Sequence, residues 1–348
     1  MKIDNLQSYN DVITYLNKAR RPRHLLFGNG FSMAYDAKIF SYNALSSFID
    51  KTQNDVLKKL FEVINTKNFE LVMQQLDNFV EIAKAFHIDK TFIDKLLEAN
   101  EVLKNSLIEA VKELHPEHVF TIPEERSKAC HTFLNHFLSQ GGKVFSTNYD
   151  LLMYWVLMRN SSKLAIDGFG RELENPEETK RGKDQEWSEL RWGINKDKQS
   201  IFYLHGTLPI FDTGVDIVKE EYGTQQYLLQ RIHDRMEAKA YPIFVTAGNA
   251  QEKLNHIMHN RYLSHCYDQL CGINGSLITF GFNFGDYDSH ILEAINKAAN
   301  QGMGGADVLR SVYIGVYSDE NLEFIESISG KFRCKVNLYN ARTVKIWD

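Results

Sequence analysis

Cysteine is scarce. The 348 residues contain 4, at Cys130, Cys266, Cys271 and Cys334, and no two form a C-x-x-C pair. A cysteine zinc site therefore has no support in the spacing, and no metal is expected. A basic run is also lacking, and the formal net charge is −5. Nucleic acid held by phosphate neutralisation needs a basic face, so direct nucleic-acid binding is not expected. Long apolar runs are absent too. The longest, Leu151–Met158, is far short of the roughly 20 residues that cross a bilayer. The opening Met1-Lys2-Ile3-Asp4-Asn5 is too polar for a signal peptide. The expectation is a soluble protein in the reducing cytoplasm, with no membrane contact.

Material for a core is plentiful: 43% of residues are hydrophobic and 12% aromatic. Apolar segments alternate with helical patterns along most of the chain. That alternation predicts an α/β fold, a Rossmann-like parallel sheet with helices on both faces. The chain reads as one domain, 1–348, with a helical insertion over 44–140. Within the insertion Phe69, Val72, Met73, Leu76 and Val80 recur at helical spacing, as do Val102, Leu103, Leu107 and Val111. That span is too long for a plain crossover between the first two strands, so it reads as a lid, a partner surface or an oligomer contact. Residues 160–200 are charged and hold Trp187 and Trp192. They read as a solvated loop, or a flap over a ligand.

The most informative stretch is Lys143-Val144-Phe145-Ser146-Thr147-Asn148-Tyr149-Asp150. It is a buried strand that ends on an amide and a carboxylate. Ligands of open α/β sheets bind at the carboxyl ends of strands, so these side chains fall on the active edge. Three other strand ends carry similar punctuation: Gly28-Asn29-Gly30-Phe31-Ser32, His205-Gly206, and Gly281-Phe282-Asn283-Phe284-Gly285-Asp286. The first would let backbone approach a pyrophosphate, because glycine puts no Cβ in the way. Its plainer reading is a tight turn, since Met33 stands where the dinucleotide fingerprint has a third glycine. His205, with a pKa near neutrality, is a candidate base or a partner for a ribose hydroxyl. Asp286 and Asp288 read equally well as helix caps. The four strand ends are expected to line one nucleotide site.

Their order resembles the sirtuin family, which carries G-A-G-x-S, T-Q-N-x-D, H-G and a late Gly-rich strand end. The match spans residues 24–317 and is limited to these short motifs. Phe40 also falls where sirtuins place a phenylalanine over the nicotinamide. The four-cysteine zinc module of the deacylases is missing, Ile39 and Ser41 replace the charged neighbours of that phenylalanine, and Thr147 replaces the glutamine. In lacking zinc the chain is similar to the prokaryotic sirtuin-like proteins of anti-phage defence, many of which hydrolyse NAD. The resemblance implies an NAD glycohydrolase, with NAD as substrate and Asn148 and His205 as catalytic residues. Gly28, Asn29, Gly30, Phe31, Ser32, Phe40, Thr147, Asp150, Gly281, Asn283 and Asp286 would bind the nucleotide. It further implies a homo-oligomer, switched on by a partner defence protein or a phage-derived trigger. An ADP-ribosyltransferase or deacylase, and a nucleotide sensor without turnover, are the alternatives.

Overall fold

The structure is a computed structural model that describes residues 2–37, 55–64, 69–180, 184–223, 226–238, 240, 242–245, 250–300 and 308–348. Phe40 and the residues around it lie outside this range. Twelve strands are described: β1 Gln7–Ser8, β2 Arg23–Phe27, β3 Val144–Ser146, β4 Phe169–Gly170, β5 Leu190–Trp192, β6 Ile201–Tyr203, β7 Gly206–Asp212, β8 Ile217–Lys219, β9 Pro242–Phe244, β10 Gly275–Phe280, β11 Leu309–Val316 and β12 Lys335–Asn340.

Seven of them form a parallel sheet in the order β1-β12-β11-β10-β2-β3-β6. Beginning at β2, the chain steps outward through β3 and β6, returns to the other side of β2 at β10, and proceeds through β11 and β12. The order therefore reverses between β2 and β10, as in a Rossmann-like fold, and such a reversal opens a crevice at the carboxyl edge. The central strands are buried along their whole length, as a parallel sheet covered by helices requires. The helix Glu124–Leu138 packs on β2 and β3, and Arg261–Cys271 packs on β6.

Some boundaries differ from those the sequence suggests. The first helix spans Tyr9–Lys18, not residues 1–22, because Ser8 and Asp11 form a reciprocal capping box that fixes its start. The apparent helix over 250–270 is two, Ala250–His259 and Arg261–Cys271. Asn260 divides them: its backbone is extended and its side chain accepts from the amides of Tyr262 and Leu263.

The larger correction concerns residues 160–200. They are not only loop: they hold β4 and β5 of a second sheet, five-stranded and antiparallel, in the order β4-β5-β8-β7-β9. These strands are two or three residues long and half-buried, so no alternation of period two marks them. Side chains supply the cohesion instead. Lys219 pairs with Asp167 beneath the surface, between the rings of Tyr154 and Phe169. Arg235 bridges Glu220 and Glu189. The strand β9, Pro242–Phe244, pairs with β7 in this second sheet. Gly206, with φ +82, is the pivot between the two sheets: a Cβ there would lie 1.8 Å from the carbonyl oxygen of Ile243.

Between β2 and β3 the helices Asp55–Ile64, Phe69–Ala85 and Lys90–Leu114 close a core of their own around Leu57, Leu76 and Leu103, apart from the main core.

Candidate active site

The four strand ends singled out in the sequence belong to β2, β3, β6 and β10, which are contiguous in the parallel sheet. All four open on the same carboxyl edge. On this edge they divide into two pairs.

The first pair is β2 and β10. The glycines here approach backbone, and the amides nearest them are already engaged. Gly28 N donates to Phe280 O at 3.2 Å, Gly30 N to Gly281 O at 3.0 Å, and Phe31 N to Gly28 O at 2.9 Å. A Cβ on Gly30 would lie 2.4 Å from Gly281 Cα, and one on Gly281, where φ is +61, would lie 2.5 Å from Gly30 Cα. The bare Cα atoms of Gly30 and Gly281 thus serve contact between two strand ends. Phe31 points into the core, fully buried and stacked on Phe27 at 4.3 Å. Asn29 is half-buried just before the six-residue helix Gly30–Tyr35. Asn283 is exposed and accepts from Asn321 Nδ2 at 2.8 Å, while Asp286 is exposed at the start of a short 3-10 turn.

The second pair is β3 and β6. Ser146 stands opposite Tyr203 in the ladder, and Leu204 N donates to Ser146 O at 2.8 Å. Asn148 and His205 each lie two residues beyond the ends of these neighbouring strands. The loops are then stitched together, with Thr207 Oγ1 donating to Tyr149 O at 2.9 Å and Leu208 N to the same oxygen at 3.0 Å. Thr147 is half-buried, its amide donating to Phe27 O at 3.1 Å.

Asn148 is held by a chain of hydrogen bonds. Its amide Nδ2 donates to Ser32 Oγ at 2.8 Å, and Ser32 Oγ donates to Asp150 Oδ2. Asp150 Oδ1 accepts from Leu152 N at 2.9 Å, at the start of the helix Leu152–Arg159. Both carboxylate oxygens therefore hold protein donors, and Asp150 orients Asn148 through Ser32. Ser32 is wholly buried and sits inside its helix, so it is a link between strand ends and not a helix cap.

His205 is also buried, at 3% exposure, with Nε2 2.9 Å from Nε2 of His290. Burial is the chief reason its pKa falls to about 3; His290 and Lys253 add to the effect and Asp288 opposes it. His290 falls to about 4, again through burial first. Both imidazoles are neutral at neutral pH, so one Nε2 carries the shared proton and the other accepts it. Burial pushes the Asp288 carboxyl up, but its cationic and imidazole neighbours outweigh that and hold it below the usual range. With the imidazoles neutral, the charge that does this is the Lys253 ammonium, 3.1 Å from Asp288 Oδ1. His205, Asp288 and His290 bring three ligand-type atoms within 4.8 Å of one another. Lys253 supplies at this cluster the positive charge that a cation would bring.

Several members of this edge escape a reading by motif. His290 and Asp288 were visible as Asp288-Ser289-His290 at the start of the helix Ser289–Asn300, but nothing local ties them to His205. His115 is another. It is fully buried, its Nε2 accepting from Leu151 N at 3.0 Å and its Nδ1 bonding to Pro116 O at 3.0 Å. The adjacent proline was the sequence signal, and it reads only as a helix stop.

The fold and this edge define a Rossmann-like α/β protein with a polar cluster at the carboxyl ends of two neighbouring strands. The chain belongs to the family described as Domain of unknown function (DUF4917), whose profile matches residues 25–347. A comparison with curated proteins gave no match. Among the described residues, no helix is long and apolar enough to cross a membrane.

Proposed function

We propose that the protein is an NAD glycohydrolase, cleaving NAD to nicotinamide and ADP-ribose. What supports the reading is that Asn148 and His205 follow neighbouring strand ends on the carboxyl edge, the first bonded to Ser32 and through it to Asp150, the second to His290. The sequence likeness to zinc-free sirtuin-like proteins supplies the reaction class, and with it a part in anti-phage defence through NAD depletion.

The chemistry asks little of a base. The bond from ribose C1′ to the nicotinamide nitrogen breaks, and its electron pair neutralises the pyridinium as nicotinamide leaves. The ribose becomes oxocarbenium-like, water adds at C1′, and a proton is released. Such a cation captures water without a strong base, so a neutral imidazole suffices to accept a hydrogen bond from the water or a ribose hydroxyl. Asn148, its Nδ2 committed to Ser32, offers its amide oxygen to the same end. Fixed polar groups of this kind cost no reorganisation when charge develops.

The test is incubation of the full chain with NAD, following nicotinamide release. Wild type should release nicotinamide, and Asn148→Ala and His205→Ala should each lose the activity while keeping the wild-type melting temperature to within a few degrees. Full activity in both variants rejects these residue roles. A wild type that neither turns over nor binds NAD rejects the reading altogether.

A further inference from the structure

The helical insertion buries one face and leaves another bare. In the helix Phe69–Ala85, positions 72, 76 and 80 face the small core. Phe79, Ile82 and Phe86 recur at the i, i+3, i+7 spacing that makes a second stripe on such a surface. They are 43, 50 and 77% exposed. The chain turns at His87, where φ is +52 and Ile88 N donates to Ala83 O at 2.9 Å. Ile88 and Phe92, 43 and 47% exposed, continue the apolar surface past the turn into the helix Lys90–Leu114. With large apolar side chains worth ~150–250 Å² each, the five present about 500 Å². A patch of that size matches the largest on a typical monomer, ~300–600 Å², and such patches are often functional. The area is more than half of the ~800 Å² that each partner gives to a stable interface.

The charges around the patch indicate the occupant. Glu81, Asp89 and Asp94 alternate with Lys84, Lys90 and Lys95. The net charge of this rim is zero, and Lys84 already reaches Glu81 at 2.7 Å. A membrane-binding face would carry a Lys and Arg excess, and a strongly charged partner would call for a rim of opposite sign. A balanced rim around an apolar centre is self-complementary, which is what a two-fold interface needs.

We propose that the hairpin tip from Phe79 to Phe92 is an isologous interface that binds the same surface of a second copy of this chain. This inference is independent of the NAD reading. It is tested by light scattering after size exclusion, on the full chain at micromolar concentration, for wild type and for Ile82→Glu with Phe86→Asp. Wild type should run as an even-numbered oligomer, and the double variant at half its mass, with an unchanged melting temperature. A wild type that is monomeric overturns the proposal, since the patch then serves another occupant or none. An oligomer that survives the double variant overturns it as well, because the interface then lies elsewhere. Should the double variant lose its fold, Phe86→Ser carries the same comparison, because Phe86 is the most exposed of the five.

Discussion

The two pairs of strand ends on the carboxyl edge use opposite means. At β2 and β10 the chain removes side chains, and Gly30 and Gly281 bring two backbones into contact. At β3 and β6 it keeps them, and Asn148, Ser32, Asp150, His205 and His290 join through hydrogen bonds. One half of the edge is a hinge pin made of bare backbone; the other is a polar surface held in fixed orientation. Glycine at a strand end in this fold thus reports close approach, and what approaches here is another strand end.

The sharpest way to break this contrast is to put a methyl group where the backbones meet. Gly30→Ala places a Cβ 2.4 Å from Gly281 Cα, with backbone on the far side and no flexible side chain to yield. Overpacking of this kind costs about 1–3 kcal/mol and occasionally more, and backbone on both sides puts this site at the upper end, so the variant should melt well below wild type or fail to fold. A melting temperature within a degree or two of wild type would show that the contact is not tight.

A smaller effect is expected in the polar half. Ser32→Ala removes the acceptor for Asn148 Nδ2 and the donor to Asp150 at once. Leaving such buried groups unpaired costs about 1–3 kcal/mol. Denaturant unfolding should show that loss, and nicotinamide release should fall further than stability alone explains. Ser32→Thr keeps the hydroxyl and should restore part of both.

A last effect is set by pH. His205 and His290 have folded pKa values of about 3 and about 4, below the ordinary 6.5. Between those limits the unfolded chain binds more protons than the folded one, so stability is full above pH 6.5 and is lost as the pH falls. Wild type should lose about 4 kcal/mol more than His205→Gln with His290→Gln between pH 7 and pH 5, roughly 2 for each imidazole. The difference between the two melting curves measures it, and parallel curves would remove the imidazole pair as its source.

How much of this was legible depends on the range of the interaction. The strands β2, β3, β6 and β10 could be read, because each is an apolar run closed by glycine, asparagine or histidine. Their common edge followed from the general rule for open sheets. The use made of Gly28-Asn29-Gly30 could not be read, since a phosphate and a neighbouring backbone both demand a missing Cβ. Asn148 and His205 could be singled out, but their supports could not. His290 lies 85 residues beyond His205, and Ser32 lies 116 before Asn148. No local pattern encodes such pairs. The antiparallel sheet was hidden for another reason: short strands tied by Arg–Glu pairs and tryptophans look like a charged loop.

His115 has a bearing on how the insertion and the edge communicate. Its imidazole spends one nitrogen on Pro116 and the other on the amide of Leu151, next to Asp150. The ring has no spare valence with which to follow a shift on either side. The residue that follows the long helix ending at Leu114 is thus tied directly to the loop after β3, one residue from Asp150.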